Sequence, residues 1–428
     1  MQTQVAGTSI VELARKVRAA SIQAAQLSSG AKQNLLTRLA EALEQNREAL
    51  QQANQGDVNR AEENGLSGPM LERLRLKDTV LDQMALSLRE VAQLPDPVGE
   101  INRMARRPNG MMVGRMRIPL GVIGIIYESR PNVTTDAAGL CLKAGNACLL
   151  RGGSEAHETN MALGNLIAEV LEAQHLPREM VTVVPLTDRA VLTEMLKLED
   201  EIDLIIPRGG EGLIRFVAEH SRIPVIKHYQ GICHTFVDAS ADSEMATSVI
   251  VNGKAQRPSV CNATETLLIH HQALQTCWVS MAEGLLKAGV ELRCCDRSWG
   301  LLREKGLETA QVKRAEPGDY GQEFLDYILA VQVVDSFEEA VRHIQRYGSN
   351  HTEAIVTQDH QQAMRFLREV NSSVVLVNAS TRFADGHQLG LGAEIGISTT
   401  KLHSYGPMGI EELTTQKFVV LGEGQIRQ

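Results

Sequence analysis

The sequence predicts an α/β protein built on largely parallel sheets. Three observations carry that reading. Short, almost unbroken apolar runs recur from about residue 120 onward, helical patterns lie between most of them, and two of the runs end in Gly-Gly turns that lead into helices. With 428 residues the chain exceeds one simple core, so two or three domains are expected.

The first 90 or so residues read as helical. Ser9-Ile-Val-Glu12 has the pattern of a capping box, a hydroxyl for an orphan amide and a carboxylate three residues on. Leu36, Leu39, Leu43 and Leu50 recur on one helical face, and Val80, Leu81, Met84, Leu88 and Val91 repeat the spacing between Asp78 and Val91. Pro95 and Pro97 end the helical pattern. Met111 to Ile118 alternates loosely, as in an exposed hairpin. Leu120 to Tyr127 is nearly all apolar and suits a strand buried on both faces, as do the runs 147–150, 181–184, 202–206, 265–269 and 374–377. Helical stretches such as 162–173 and 338–346 separate them. With no repeat and no low-complexity linker, the expected domain border lies near Gln230-Gly231.

Composition narrows the function classes. Apolar residues make up 43% and charged residues 22%, which argues against wholesale disorder. The balance of 43 Lys+Arg against 52 Asp+Glu gives a net charge of −9, and no long basic block offers a nucleic-acid or anionic-membrane surface. No apolar run reaches the roughly 18–20 residues of a membrane span. Met1 to Ser9 is polar and lacks the basic-then-apolar pattern of a signal peptide. The seven cysteines form no spaced metal or disulfide framework, which fits a reducing cytosol. His228, His234, His403 and the His270-His271 pair lack a ligand set, so no metal is expected.

The strand at Cys148–Arg151 runs into Gly152, Gly153 and Ser154, with Ser154 placed to cap the next helix. Asp203–Arg208 runs into Gly209 and Gly210 in the same way. Amides at such a helix start, with the helix dipole behind them, favour an anion. Arg151 and Arg208 add a guanidinium suited to phosphate at each turn. Neither turn is a GxGxxG fingerprint or a Walker loop, and tight packing of helix on strand is the plain alternative. Cys261 stands apart from the other six cysteines. Polar residues, Gly and Pro precede it and a strand follows from Glu265, which puts the thiol on a loop or helix start at the head of a sheet. Lys254 and Arg257 are placed to lower its pKa, while burial as a small apolar side chain is the alternative.

Longer motifs carry a family resemblance. Tyr127-Glu-Ser-Arg-Pro-Asn-Val-Thr134, Lys143-Ala-Gly-Asn146, Leu150-Arg-Gly-Gly-Ser154, Gln256-Arg-Pro-Ser-Val-Cys-Asn262 and Gly392-Ala-Glu-Ile-Gly-Ile-Ser-Thr-Thr-Lys401 resemble the aldehyde dehydrogenase superfamily, in the branch that reduces gamma-glutamyl phosphate. The resemblance runs from the N-terminal helices to about Gly422. It implies a Rossmann-like NADPH-binding domain (1–104 and 126–230), an α/β catalytic domain (231–400) and a small β oligomerisation element (105–125 and 401–428). It implies reduction of L-glutamate 5-phosphate by NADPH to glutamate 5-semialdehyde, the second step of proline synthesis from glutamate. A homodimer or homotetramer and a glutamate 5-kinase partner are further expectations.

Residue by residue, Cys261 matches the superfamily nucleophile and Asn132 the side-chain donor to the oxyanion. Arg151 falls where the superfamily usually has a Lys on the adenosine ribose, and Gly209 and Gly210 match the turn facing the pyrophosphate. Lys143 and Arg151 are then candidates for the 2′-phosphate of NADPH. Glu128, Arg130, Arg382 and Asp385 are candidates for the glutamyl end and Arg257 for the phosphate. Two departures are informative. The Glu that activates hydrolytic water in the superfamily is absent from His228-Tyr-Gln-Gly231, as an acyl-phosphate reductase permits. The later Glu-x-Phe-Gly-Pro motif has only a loose counterpart around Glu323 to Tyr327. Other superfamily oxidoreductases, a cysteine hydrolase without nicotinamide and a non-catalytic scaffold are the competing readings. The missing Glu, the two glycine turns, and the intact Cys261 and Asn132 argue against them in turn.

Overall fold

The computed structural model describes residues 9–66 and 68–427, so the polar N-terminal stretch lies, apart from Ser9, outside the described residues. The chain divides into two compact units, residues 1–227 with 390–396 and 408–428, and residues 228–389 with 397–407.

The first unit opens with five helices: α1 (Ile10–Ala24), α2 (Ser29–Gln45), α3 (Arg47–Glu63), α4 (Pro69–Leu74) and α5 (Asp78–Gln93). Ser9 and Glu12 form the complete capping box of α1. The helical face expected to run through Leu50 is broken at Asn46, so Leu36, Leu39 and Leu43 belong to α2 and Leu50 to α3, all buried. There follow β1 (Ile101–Arg106), β2 (Met112–Pro119), β3 (Val122–Tyr127), α6 (Asn132–Lys143), β4 (Ala147–Gly152), α7 (His157–Ala173), β5 (Val181–Val183), α8 (Arg189–Met195), β6 (Leu204–Arg208) and α9 (Glu211–His220).

Strands β5-β4-β3-β6 form a parallel sheet in that order. Its apolar runs are continuous because both faces are covered. On β3, Ile123 and Ile125 enter the core with α2, α5, α6 and α7, whereas Val122 and Ile126 enter the core with α1, α8 and α9. Cys148 and Leu150 against Ala147 and Leu149 divide β4 the same way. Residues 122–125, expected with the oligomerisation element, instead lie within this sheet.

The second unit begins at His228 and contains β7 (Cys233–Val237), α10 (Ser243–Ala255), β8 (Thr264–His270), α11 (Leu274–Lys287), β9 (Glu291–Cys294), α12 (Asp296–Glu304), β10 (Val312–Arg314), β11 (Ile328–Val334), α13 (Phe337–Tyr347), β12 (Thr352–Val356), α14 (His360–Glu369) and β13 (Val374–Val377). Seven parallel strands run in the order β10-β9-β11-β8-β7-β12-β13. Leu267 and Ile269 of β8 face one core and Leu268 the other. The strand β13 is half-buried rather than buried, because it is the sheet's last strand. The short pair β14 (Gly396–Ser398) and β15 (Gly406–Met408) precedes β16 (Thr414–Leu421), which pairs antiparallel with β2 across its whole length. With β1 it completes a three-stranded sheet in the first unit.

Candidate active site

In the first unit both glycine turns lie at the C-terminal end of the parallel sheet, where ligands of such sheets bind. At the first turn a Cβ added to Gly152 would lie 2.2 Å from the Asn160 amide nitrogen, and one added to Gly153 would meet the Glu155 carboxylate at 2.2 Å. A larger residue at either position would have to push the Asn160 or the Glu155 side chain aside. Ser154 does not cap α7. It lies in a 3-10 turn, Ser154–Ala156, and α7 starts after Ala156 without a side-chain cap. Arg151 is 9% exposed and gives one N–H to the Thr187 carbonyl at 2.7 Å, while its Nε has no partner. Burial lowers its pKa, and the charges of Glu155 and Glu128 oppose that.

Glu155 is a residue that sequence reasoning missed. Its Oε1 accepts from the Ser129 amide at 2.6 Å and the Ser129 hydroxyl at 2.8 Å, and Ser129 itself sits at φ 42°. Glu155 stands two residues past the Gly-Gly pair, a carboxylate at a helix start, and that position was the available signal.

At the second turn the structure corrects an expectation. Glu128 does not stand free for the glutamyl end of a substrate: its Oε2 accepts from the Gly210 amide at 2.9 Å. A Cβ on Gly209 would lie 2.4 Å from that oxygen. The amide expected to face pyrophosphate is thus capped by the protein's own carboxylate. Arg208 ends β6 beside Gly396 and within charge range of Asp136. Arg130 is exposed just before α6.

Asn132 is the first residue of α6, and its side-chain amide donates to Asp136 Oδ2 at 2.9 Å, one helical turn on. Burial raises the Asp136 pKa to about 6, against hydrogen bonds from Asn132 and Ser87 and the charge of Arg208. Lys143 is a second correction. It is 1% exposed and gives its ammonium to the Ala92 carbonyl at 2.8 Å, so it ties α6 to α5 instead of meeting a ligand. Burial lowers its pKa, and Lys32 adds to that while Asp96 opposes it. The sequence misled because Lys143 is the last residue of an apolar helix whose end lies inside the protein.

In the second unit Cys261 lies on the loop between α10 and β8. It is partly exposed, whereas Cys141, Cys148, Cys233, Cys277 and Cys294 are buried. Burial raises the thiols of Cys141 and Cys233 well above their usual value and that of Cys294 to about 12. Among the described residues no group of His, Cys, Asp and Glu is arranged to hold a metal. The Cys261 carbonyl accepts from the Cys233 thiol at 3.1 Å. Gly231 passes so close that an added Cβ would lie 2.0 Å from the same carbonyl oxygen and 2.7 Å from the Cys261 Cα. Gly231 also gives its N–H to Glu323 at 2.9 Å, so the loop around Glu323 is fastened beside the nucleophile.

Lys254 is a third correction. It is fully buried and paired with Glu265 at 2.6 Å, so it serves that carboxylate, not the thiol. Burial lowers the Lys254 pKa and raises that of Glu265 to about 7, each held back by the other's charge. Arg257, Asp385 and Cys261 all lie within charge range of Arg382. Burial lowers the Arg382 pKa, Asp385 and the Cys261 thiolate oppose it, and Arg257 adds to it. The Arg382 Nε donates to Gln256 at 2.8 Å, and the Asn262 amide donates to the Ala384 carbonyl at 2.9 Å. Gln256 and Asn262 thereby hold the 381–385 loop against the nucleophile loop. Both lie in a motif that sequence analysis singled out without assigning them a role.

A partly exposed cysteine at the head of one parallel sheet, and glycine turns at the head of another, are the parts of an aldehyde dehydrogenase. Residues 2–291 match the family model described as "Aldehyde dehydrogenase family". The gamma-glutamyl phosphate reductase of Geotalea daltonii is 58% identical over 98% of this chain and 99% of its own length. That of Nitratidesulfovibrio vulgaris is 55% identical over 98% and 99%. The crystal structure of the Thermotoga maritima gamma-glutamyl phosphate reductase superposes with a TM-score of 0.94 at 42% identity, covering 98% of this chain and 100% of that one. An acetylating aldehyde dehydrogenase from Geobacillus thermoglucosidasius shares the fold, with a TM-score of 0.69 at 18% identity over 98% and 97%. The chain belongs to the gamma-glutamyl phosphate reductase branch of the aldehyde dehydrogenase family.

Proposed function

We propose that the protein is a glutamate-5-semialdehyde dehydrogenase (phosphorylating) that reduces L-glutamate 5-phosphate to L-glutamate 5-semialdehyde and phosphate. The reaction is the second step of proline biosynthesis from glutamate. The observation that carries the reading is Cys261, a partly exposed thiol on the loop entering β8 within charge range of Arg382, which in turn feels Arg257 and Asp385.

The Cys261 thiolate attacks the acyl-phosphate carbonyl, phosphate leaves, and a thioester forms. Arg257 neutralises the leaving phosphate and Arg382 with Asp385 takes the charged glutamyl end. The Cys261 amide stabilises the oxyanion, a contribution typically worth about 10²–10³ in rate per donor, and Asn132 keeps the side-chain donor role that the family resemblance implies. NADPH, when bound, supplies hydride. Collapse of the thiohemiacetal releases the aldehyde and returns the thiolate. His228-Tyr-Gln-Gly231 brings no carboxylate of its own to activate water, which protects the thioester from hydrolysis.

The first glycine turn fits a dinucleotide. The unpartnered, buried Arg151 Nε and the side-chain-free path past Gly152 and Gly153 suit a phosphate, and Glu155 suits ribose hydroxyls. Arg151 is the proposed partner of the 2′-phosphate, with Gly152, Gly153, Ser154, Arg208, Gly209 and Gly210 around the rest. The three-stranded sheet is the proposed subunit contact of a homodimer or homotetramer. Phe418, Val420 and Leu421 are each more than half exposed on its outer strand β16. No helix among the described residues is long and apolar enough to cross a membrane, in keeping with a proposed cytoplasmic location. A glutamate 5-kinase is the proposed source of the unstable acyl phosphate.

Replacing Cys261 with Ala tests the reading. Turnover should vanish while NADPH binding, followed by its fluorescence, persists. Retained turnover would overturn the assignment of the nucleophile.

A further inference from the structure

Asn262 directly follows the nucleophile and is 5% exposed. Its amide orientation is fixed by its partner. The Ala384 carbonyl, 2.9 Å away, accepts only, so the side-chain NH2 must face it. The side-chain oxygen is then left buried with no partner. A buried acceptor without a donor is costly, and natural proteins rarely keep one without a use. Its surroundings say what kind of donor is missing. Cys261 lies on one side by covalent connection and the 381–385 loop lies on the other. That loop brings Arg382, held through Gln256, and Asp385 into the same field.

The glutamyl chain has its α-carbon three carbon–carbon bonds from the reacting carbonyl, about 4 Å when extended. A chain attached at Cys261 therefore places its amino-acid head group within this pocket's reach. We infer that the Asn262 side-chain oxygen, with Asp385, receives the substrate's α-ammonium, while Arg382 receives its α-carboxylate. Asn262 is thus a specificity-determining residue for the α-amino group. The inference rests on the functional reading above.

The assignment has a chemical consequence. A free α-amine and the C5 carbonyl of the same glutamyl chain close a five-membered ring, and intramolecular attack of this kind is fast. On the thioester, the nitrogen lone pair would add to the carbonyl and the carbon–sulfur bond would break. The nitrogen would lose a proton, giving a lactam and free Cys261 without reduction. An ammonium held by two acceptors has no lone pair to give. Asn262 therefore also guards the acyl-enzyme against self-cyclisation.

The test uses the full-length protein in the reverse direction, with NADP and phosphate and two aldehydes. One is glutamate 5-semialdehyde; the other is 5-oxopentanoate, which lacks only the amine. Asn262→Ala should lower kcat/KM for the semialdehyde about 10- to 100-fold, the scale of one hydrogen bond to a charged group. Its loss on 5-oxopentanoate should be several-fold smaller, the part common to both aldehydes being the lost tie to Ala384. Asn262→Asp keeps an acceptor oxygen and loses the tie to Ala384, and should retain most of the preference for the amine. Equal losses on both aldehydes in both variants, or no loss in Asn262→Ala, would overturn the assignment. Failure of the unmodified protein to turn over either aldehyde would instead bring down the functional reading, and this inference with it.

Discussion

The carboxylate of Glu128 accepts a hydrogen bond from the backbone amide of Gly210 at 2.9 Å, at the first turn of α9. A helix start that would draw a ligand phosphate is thus held by an anion belonging to the protein. Glu128 follows β3 directly and Gly210 follows β6, and these strands are neighbours in the sheet. The contact is a product of topology across 82 residues.

Cofactor binding has to displace or share that carboxylate. Glu128→Gln keeps an acceptor and removes the charge. It should tighten NADPH binding about fivefold, corresponding to ~1 kcal/mol for an exposed charge contact. Titration of NADPH fluorescence at low and high salt measures it. Unchanged or weaker binding would show that Glu128 helps hold the cofactor.

Arg151 is expected to discriminate between the two nicotinamide cofactors. Arg151→Ala should raise KM for NADPH about 10-fold or more and leave KM for NADH nearly unchanged. Parallel steady-state measurements decide it, and equal effects on both cofactors would take Arg151 off the 2′-phosphate.

The Asn132–Asp136 contact predicts an acid limb in the rate. Burial raises Asp136 to about 6, so below that pH its carboxyl is protonated and is a weaker acceptor for the Asn132 amide. Turnover should fall as pH drops through about 6, and Asp136→Asn should flatten that limb. The stability effect has the opposite sign. With the folded pKa raised above the unfolded value of about 3.9, the contribution of Asp136 is fully present below that value and is lost as pH rises through about 6. A kcat–pH profile beside a urea-melt series separates the two.

The buried Lys254–Glu265 pair predicts strong coupling. Lys254→Met should destabilise the fold by about 3–5 kcal/mol by stranding Glu265, and adding Glu265→Gln should restore much of it. Urea denaturation of the two single variants and the double variant reads the coupling directly. Additive losses would mean that the two side chains act apart.

Much of this fold could be read along the chain because its signals are local. Unbroken apolar runs marked β3, β4 and β6 since both faces of each are covered, and the Ser9–Glu12 box marked the start of α1. Cys261 stood out because polar residues precede it and a strand follows. What was missed depends on distant partners. Lys143 looked like a ligand-seeking cation, yet the Ala92 carbonyl that claims it lies 51 residues back. Lys254 looked available to the thiol until Glu265 was brought opposite it by the turn into β8. The role of Asn262 appears only when Ala384, 122 residues on, is seen to orient its amide.

Acyl-phosphate chemistry at Cys261 is tested most directly by phosphate dependence in the reverse direction. With glutamate 5-semialdehyde and NADP supplied, NADPH formation should require inorganic phosphate, rise with its concentration to saturation and disappear in Cys261→Ala. NADPH formation that proceeds equally well without phosphate would contradict the account.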